Sequence, residues 1–342
     1  HNALARSLNI PALKMLQQYK YQRFYEVLKS CGITTLNRPA GNYGLSLVLG
    51  GCEVTLWDLA SVYASMARAL NHQTLNKGKL NNSDFHAPNY LQNKNVKSST
   101  TQNVRLDASS IYFTFQAMKE VMRPGEEGLW QQFLSSQTIA WKTGTSFGFR
   151  DGWAVGVTPK YVVAVWCGNA DGEGRPDLIG IKTAAPVMFD IFRLLPHGGW
   201  FQKPVYNFSF VPVCRQSGFK ANLDCSDVDT LFVSENGSKS PLCPYHRMVN
   251  LDASGVYRVT AECESPSAMQ HKSWFVLTPA MEYYYKQKNA DYIPLPAFKP
   301  GCAFSDAGKT IDIIYPLPNA KIYVPLEING KRGKTIFSAT HR

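Results

Sequence analysis

Lys142-Thr143-Gly144-Thr145 closes a short apolar run, Ile139-Ala140-Trp141, and has the residue types of a serine acyl-transfer site. A lysine at that place sets a fixed positive charge beside a serine relay and a substrate carboxylate. Thr143 and Thr145 share a strand face by two-residue alternation, so their hydroxyls can bind a terminal carboxylate. Gly144 has no side chain, which lets a substrate approach the backbone. The Thr145 N–H can serve as an oxyanion-hole donor, and losing one such donor costs about 3 kcal/mol in the transition state. Ser7-Leu8-Asn9 supplies a second set. Ser7 can relay a proton between nucleophile and leaving group, and Asn9 can hydrogen-bond a substrate amide. Each set also has a plain structural reading: a strand end running into a turn for the first, a helix cap for the second.

The cysteines form another group. Cys214, Cys225 and Cys243, with His246, are compatible with a Cys₃His zinc site. They lack the close Cys-x₂₋₄-Cys pairing of familiar zinc motifs. In an oxidising compartment disulfides are the expectation, with Cys214–Cys225 the first pair to try and no metal. Cys31, Cys52 and Cys167 lie among apolar neighbours and are expected as buried free thiols. His197, His246 and His271 have no assignable carboxylate partner and are given no catalytic role. The aromatic runs Trp274-Phe275-Val276-Leu277 and Tyr283-Tyr284-Tyr285 could stack on sugars, but core and interface packing is the expectation.

The elements that must position these residues follow from pattern. Pro11 near a first helical position, with Asn9 as cap, predicts a helix through Leu16. A second helix is predicted from Tyr21 to Ser30. A third starts after Thr55, with Asp58 as its capping-box partner and a stripe of Leu56, Leu59, Tyr63, Met66 and Leu70 that reads as core. Residues 71–103 read as a polar surface loop. Asp107 is placed to cap a helix through Phe113, Phe115, Met118 and Val121. Strands are predicted at 138–145, 153–157 and 161–166, the last two joined as a hairpin, then a helix over 184–195. The cluster Pro196-His197-Gly198-Gly199 reads as a domain boundary. Later strands are predicted at 310–315, 321–324 and 335–339.

Composition sets the limits. The chain has 342 residues, 44% of them hydrophobic and 18% charged, which is globular and of about two domains' length. The longest apolar stretch, Tyr161 to Cys167, is strand-sized, and no run reaches the roughly 18 residues of a membrane helix. The net charge of +11 could attract polyanions. Its densest cluster, Lys331-Arg332-Gly333-Lys334, has no zinc-finger or RNA-binding signature beside it, so a solvated basic surface and no nucleic-acid partner are expected. The first residue is His1, and a processed or truncated chain is the expectation.

The segment from Ala5 to Ala12 resembles the Ser-x-Asn region of class A penicillin-binding proteins. Tyr43 to Gly51, continuing through Thr55-Leu56, is similar to the block that follows it there. Lys142 to Ser146, Gly148 to Gly156, and Val165 to Asn169 with Asp171-Gly172 resemble the 1C-type branch. The resemblance runs over residues 1–200 and more loosely to Cys243-Pro244-Tyr245-His246.

It implies an α+β fold of the serine β-lactamase/transpeptidase type: part of an antiparallel sheet with helices, followed by a Cys-containing β-rich extension. The implied layout is the C-terminal portion of a transpeptidase domain at 1–200, a Cys-containing linker region at 201–303, and the start of a β-sandwich-like domain at 304–342. The implied function is a peptidoglycan D,D-transpeptidase that cross-links stem peptides on glycan strands, and that β-lactams acylate. Catalytic roles fall on Ser7, Asn9 and Lys142, and substrate binding on Thr143, Gly144 and Thr145. No cofactor is implied. The whole family member would carry a membrane anchor and an N-terminal glycosyltransferase domain, and would work at the periplasmic face of the inner membrane. The family's nucleophile sits in Ser-x-x-Lys upstream of Ser-x-Asn. No such element is expected anywhere in the chain, so the expectation is a chain without that nucleophile, inert alone. Thr74-Leu75-Asn76-Lys77 has a similar spacing but lies in the polar stretch, downstream of Ser7. Such a chain is expected to expose apolar surface from Leu45 to Leu49 and from Leu56 to Leu70. The alternative is a non-catalytic wall-binding or scaffold protein with a degenerate transpeptidase fold.

Overall fold

The computed structural model describes residues 2–77, 81–90, 104, 106–123, 137–204, 206, 208–302, 311–316, 320–324, 333, 335 and 337–341. The chain divides into two compact units, His1–Phe208 and Ser209–Arg342.

The first unit opens with helices α1 (Asn2–Ala5), α2 (Asn9–Tyr19), α3 (Tyr21–Ser30) and α4 (Ala40–Tyr43), then a 3-10 segment at Gly44–Leu49. Leu16, Tyr25, Ile33, Leu36, Tyr43 and Leu47 form its first core cluster. Helix α5 (Leu56–His72) begins as its sequence requires, for the Thr55 side chain accepts from the Asp58 N–H. Asp58 is buried, and its carboxylate accepts from both the N–H (2.8 Å) and the hydroxyl (2.6 Å) of Thr34. The cap therefore also ties α5 to the loop before it. Helix α6 (Ala108–Lys119) is capped by Asp107, which accepts from the Ser110 N–H.

Three antiparallel strands follow: β1 (Ala140–Thr145), β2 (Asp151–Val157) and β3 (Val162–Gly168), in the order β1-β2-β3. Ala140 and Val157 join a core with residues of α5 and α6, and Trp141, Ala154 and Val163 join another with helix α7 (Ala184–Leu194). Strand residues thus reach two cores, and this explains why β2 is buried almost continuously from Ala154 to Val157 rather than alternating. Fully burying a side chain such as Phe115 or Phe192 contributes about 1.5–3 kcal/mol. Gly156 admits α7: a Cβ there would stand 2.5 Å from Phe192 Cε2 and 3.0 Å from Met188 Sδ.

The second unit is built of strand pairs: β4 (Phe208–Cys214) with β5 (Val228–Ser234), β6 (His246–Leu251) with β7 (Gln270–Phe275), and, beyond helix α8 (Pro279–Lys286), β8 (Ile311–Tyr315) with β9 (Ser338–His341). A disulfide joins Cys263 and Cys302.

Mixed helix and antiparallel sheet is the expected class. Several local expectations differ in detail. Asn9 is the first residue of α2, not its cap; the cap position is Leu8, with no side-chain bond. Val121 lies two residues past the end of α6 yet is buried in the α7-side core. Residues 321–324 are not a strand. Tyr283 and Tyr284 are exposed, against the expected packing, whereas Tyr285 stacks against Phe275 at 5.6 Å. The described half of the 71–103 stretch is not all surface loop: α5 runs to His72, a 3-10 turn spans Asn82–Asp84, and Gln73, Asp84 and Phe85 are buried. The rest of that stretch and most of the basic cluster at Lys331 lie outside the described residues.

Candidate active site

Ser7 owes its place to the backbone before it. The Leu8 N–H donates to the Ala3 carbonyl (2.9 Å) and the Ser7 N–H to the Leu4 carbonyl (3.1 Å). These are the paired bonds of a Schellman turn, whose penultimate residue takes a left-handed conformation. Ser7 has φ 52°. Glycine is the usual occupant of that position, because a Cβ is crowded there. A serine held so is the kind of local strain that clusters at functional sites.

Lys142 lies in mid-strand on β1, paired with Val155 of β2. Its Nζ donates to Ser7 Oγ at 2.5 Å and to the Thr143 carbonyl at 2.8 Å. Residues 135 apart in sequence thus meet at one hydrogen bond. Burial holds the Lys142 ammonium below the usual lysine range. That raises the share of neutral amine, the form able to accept a proton.

The remaining residues of the set continue along β1, the end strand of its sheet among the described residues. Thr143 pairs with Ala154, Gly144 with Trp153 and Thr145 with Gly152. Thr145 Oγ1 accepts from the Gly180 N–H at 3.1 Å and keeps its own proton to donate. Gly180 fits because it lacks a side chain: a Cβ there would fall 2.4 Å from the Gly144 carbonyl oxygen. At Gly144 itself a Cβ would meet only ordinary contacts, the nearest being Trp153 Cβ at 3.6 Å. Packing therefore does not dictate glycine at that position. Asn9 is exposed in the first turn of α2, two residues from Ser7. Just beyond Thr145, Phe147 stands fully exposed in the β1–β2 turn, and the sequence reading assigned it nothing.

A Ser-x-x-Lys spacing does occur, at Ser217-Gly218-Phe219-Lys220, against the expectation that the chain has none. It belongs to the second unit and is not helical. Ser217 Oγ donates to Cys243 Sγ at 3.2 Å, and Lys220 Nζ donates to the Ser238 carbonyl at 3.5 Å. Neither residue is placed to activate the other.

The expected Cys214–Cys225 disulfide is not formed. Cys214, Cys225 and Cys243 are free thiols, and the pair that does bond, Cys263–Cys302, was not named from sequence. The three sulfurs converge instead on His246, the histidine of the Cys₃His alternative that disulfides were expected to displace. Cys31, Cys52 and Cys167 are also free, and only Cys31 is fully buried.

No protein-family profile matches the chain. Individual proteins do. Penicillin-binding protein 1C of Escherichia coli K12 is 31% identical over 193 residues, which is 56% of this chain and 22% of that protein. Penicillin-binding protein 1A of Neisseria cinerea is 28% identical over 203 residues, 58% of this chain and 24% of that protein. Among solved structures, penicillin-binding protein 1A of Haemophilus influenzae aligns with a TM-score of 0.47 and 15% identity, over 70% of this chain and 40% of that one. The chain spans about a fifth to a quarter of the curated relatives it matches. Over the stretch that aligns, the chain is a relative of the class A penicillin-binding proteins, the 1C type among them.

Proposed function

We propose that this chain carries the C-terminal part of a serine D,D-transpeptidase site, and that the nucleophile comes from a segment upstream of residue 1. The observation that carries the reading is the 2.5 Å hydrogen bond between Lys142 Nζ and Ser7 Oγ. It joins two motifs that the sequence offers separately. In the reaction, a serine hydroxyl attacks the carbonyl of a D-Ala-D-Ala terminus and D-Ala leaves. The acyl group then passes to an amine on a second stem peptide. Ser7 and Lys142 form a relay that carries the proton from the attacking hydroxyl to the departing amine. The lowered pKa of Lys142 suits that exchange. Asn9 would hold a substrate amide, and Thr143 and Thr145 the terminal carboxylate, along the edge that β1 leaves unpaired among the described residues. A β-lactam would acylate the same serine. The partners are then stem peptides on glycan strands. The whole protein would be anchored at the periplasmic face of the inner membrane, with a glycosyltransferase domain before this part. Among the described residues no helix is long and apolar enough to cross a membrane.

A second reading keeps the fold and drops the chemistry: a wall-binding scaffold. It is favoured by the Ser-x-x-Lys spacing that the chain does carry, Ser217 to Lys220, whose two side chains bond elsewhere and not to each other. Fluorescent-penicillin labelling separates the two. The gene product extended upstream of His1 should label, and the 342-residue chain should not. A folded extended product that holds Ser-x-x-Lys and fails to label would favour the scaffold. Labelling of this chain itself would overturn the proposed origin of the nucleophile.

A further inference from the structure

The second unit brings together three thiols and an imidazole from three places in the chain. Cys214 ends β4, Cys225 follows in a turn, Cys243 precedes β6 and His246 begins it. Their ligand atoms all lie within 4.8 Å of one another. Cys214, Cys243 and His246 are buried. The distances from His246 Nδ1 are 3.4 Å to Cys214 Sγ, 3.6 Å to Cys225 Sγ and 3.5 Å to Cys243 Sγ. Zinc bonds of about 2.3 Å to sulfur and 2.0–2.1 Å to nitrogen, at tetrahedral angles, put each sulfur about 3.5 Å from the nitrogen. Three independent distances therefore agree with one metal geometry. A disulfide would draw two of the sulfurs to about 2.05 Å and leave the third aside.

We propose that Cys214, Cys225, Cys243 and His246 form a closed, structural zinc site in the second unit. Three soft thiolates and one imidazole in a tetrahedron select zinc over the oxygen-seeking cations. All four positions are protein ligands, so no site is left for a water or substrate, and the role is structural. The surroundings support the ligands. The Asn222 N–H donates to Cys225 Sγ (3.4 Å) and Ser217 Oγ to Cys243 Sγ (3.2 Å), bonds that offset thiolate charge. The Asn222 side-chain amide donates to the carbonyls of Cys243 (2.8 Å) and His246 (3.0 Å) and so fixes the turn between these two ligands. On binding, each thiol gives up its proton to solvent as its sulfur takes a bond to the metal.

The unit also has a need for such a site. Its described strands pair only in twos, and a lone two-stranded hairpin is marginal in water. Small cores of this kind are commonly held by disulfides or a metal. Here Cys263–Cys302 supplies one tie and the cluster supplies a second, at a different place in the unit.

The test uses the full 342-residue chain, purified with reductant and without chelator. Elemental analysis should find about one zinc per chain, the stoichiometry of a four-ligand site. Cys243→Ser and His246→Ala should lose it, and Cys167→Ser should keep it. If those variants fail to fold, cobalt(II) added to metal-stripped wild type decides. Thiolate-to-cobalt charge transfer and tetrahedral ligand-field bands that zinc then abolishes support the site. Absence of zinc together with no cobalt spectrum would overturn it. So would a Cys214–Cys225 disulfide in peptide mapping, or zinc retained by both folded variants.

Discussion

Ser7 combines a conformational cost with, under the proposed function, a chemical use. A left-handed backbone costs a residue with a Cβ roughly 1–2 kcal/mol, and glycine escapes most of it. Replacing Ser7 by either alanine or glycine removes the hydroxyl that Lys142 donates to, so the lost bond is common to both variants. Ser7→Gly should then be the more stable by about 1 kcal/mol in denaturant unfolding, although the two should be equally impaired in penicillin labelling of the extended product. Equal stabilities would show that the φ of 52° stores nothing. The meeting of Ser7 and Lys142 follows the two motifs that carry them. The strain was not legible in the sequence, because it follows from the four-residue helix α1, too short to leave a periodic signal. The Cys₃His set was legible as one of two readings, and the lack of a close Cys-x₂₋₄-Cys pair tipped the choice to disulfides. The close pair is Cys243-Pro244-Tyr245-His246, in which the second ligand is a histidine.

At the scale of elements, capping residues and apolar periods carried most of the information. Thr55 and Asp107 announce α5 and α6 because a side-chain oxygen three residues before an N–H has one good use there. Helix α3 has the bounds predicted, Tyr21 to Ser30. Strand ends were less legible, since β2 starts at Asp151 and β3 runs to Gly168, where partner strands rather than residue types set the limits. The glycines of this sheet separate packing from function. Gly156→Ala would press a methyl on Phe192 and Met188 and should cost about 1–3 kcal/mol, the range for overpacking. Gly144→Ala meets no such obstacle and should stay within about 0.5 kcal/mol of wild type. In the extended product the same Gly144→Ala should slow penicillin acylation, because a methyl would stand between substrate and strand. A large stability loss at Gly144 would return that glycine to a structural role.

At the scale of the molecule, the helical part of the first unit leaves apolar side chains in water. Ile10 and Met15 on α2 are 68% and 69% exposed, and Tyr19, one turn beyond Met15, shares its face. Leu45 and Leu49 are exposed, as are Leu56 and Trp57. The expected exposure is thus met at both ends of Leu45 to Leu49 and at the start of Leu56 to Leu70, while Leu47 and Leu70 are buried. Exposed apolar groups on this scale mark surfaces that another element or partner covers. Under the proposed function, the upstream segment with the nucleophile is that cover. The isolated chain should therefore self-associate as its concentration rises. The net charge of +11 opposes association, so added salt should strengthen it by screening. Ile10→Lys combined with Met15→Lys should weaken association in sedimentation velocity with little change in melting temperature, for both sites are solvent-facing. The extended product should remain monomeric under the same conditions. If the 342-residue chain is monomeric at every concentration and salt level, the apolar groups need no cover, and the upstream segment loses this support.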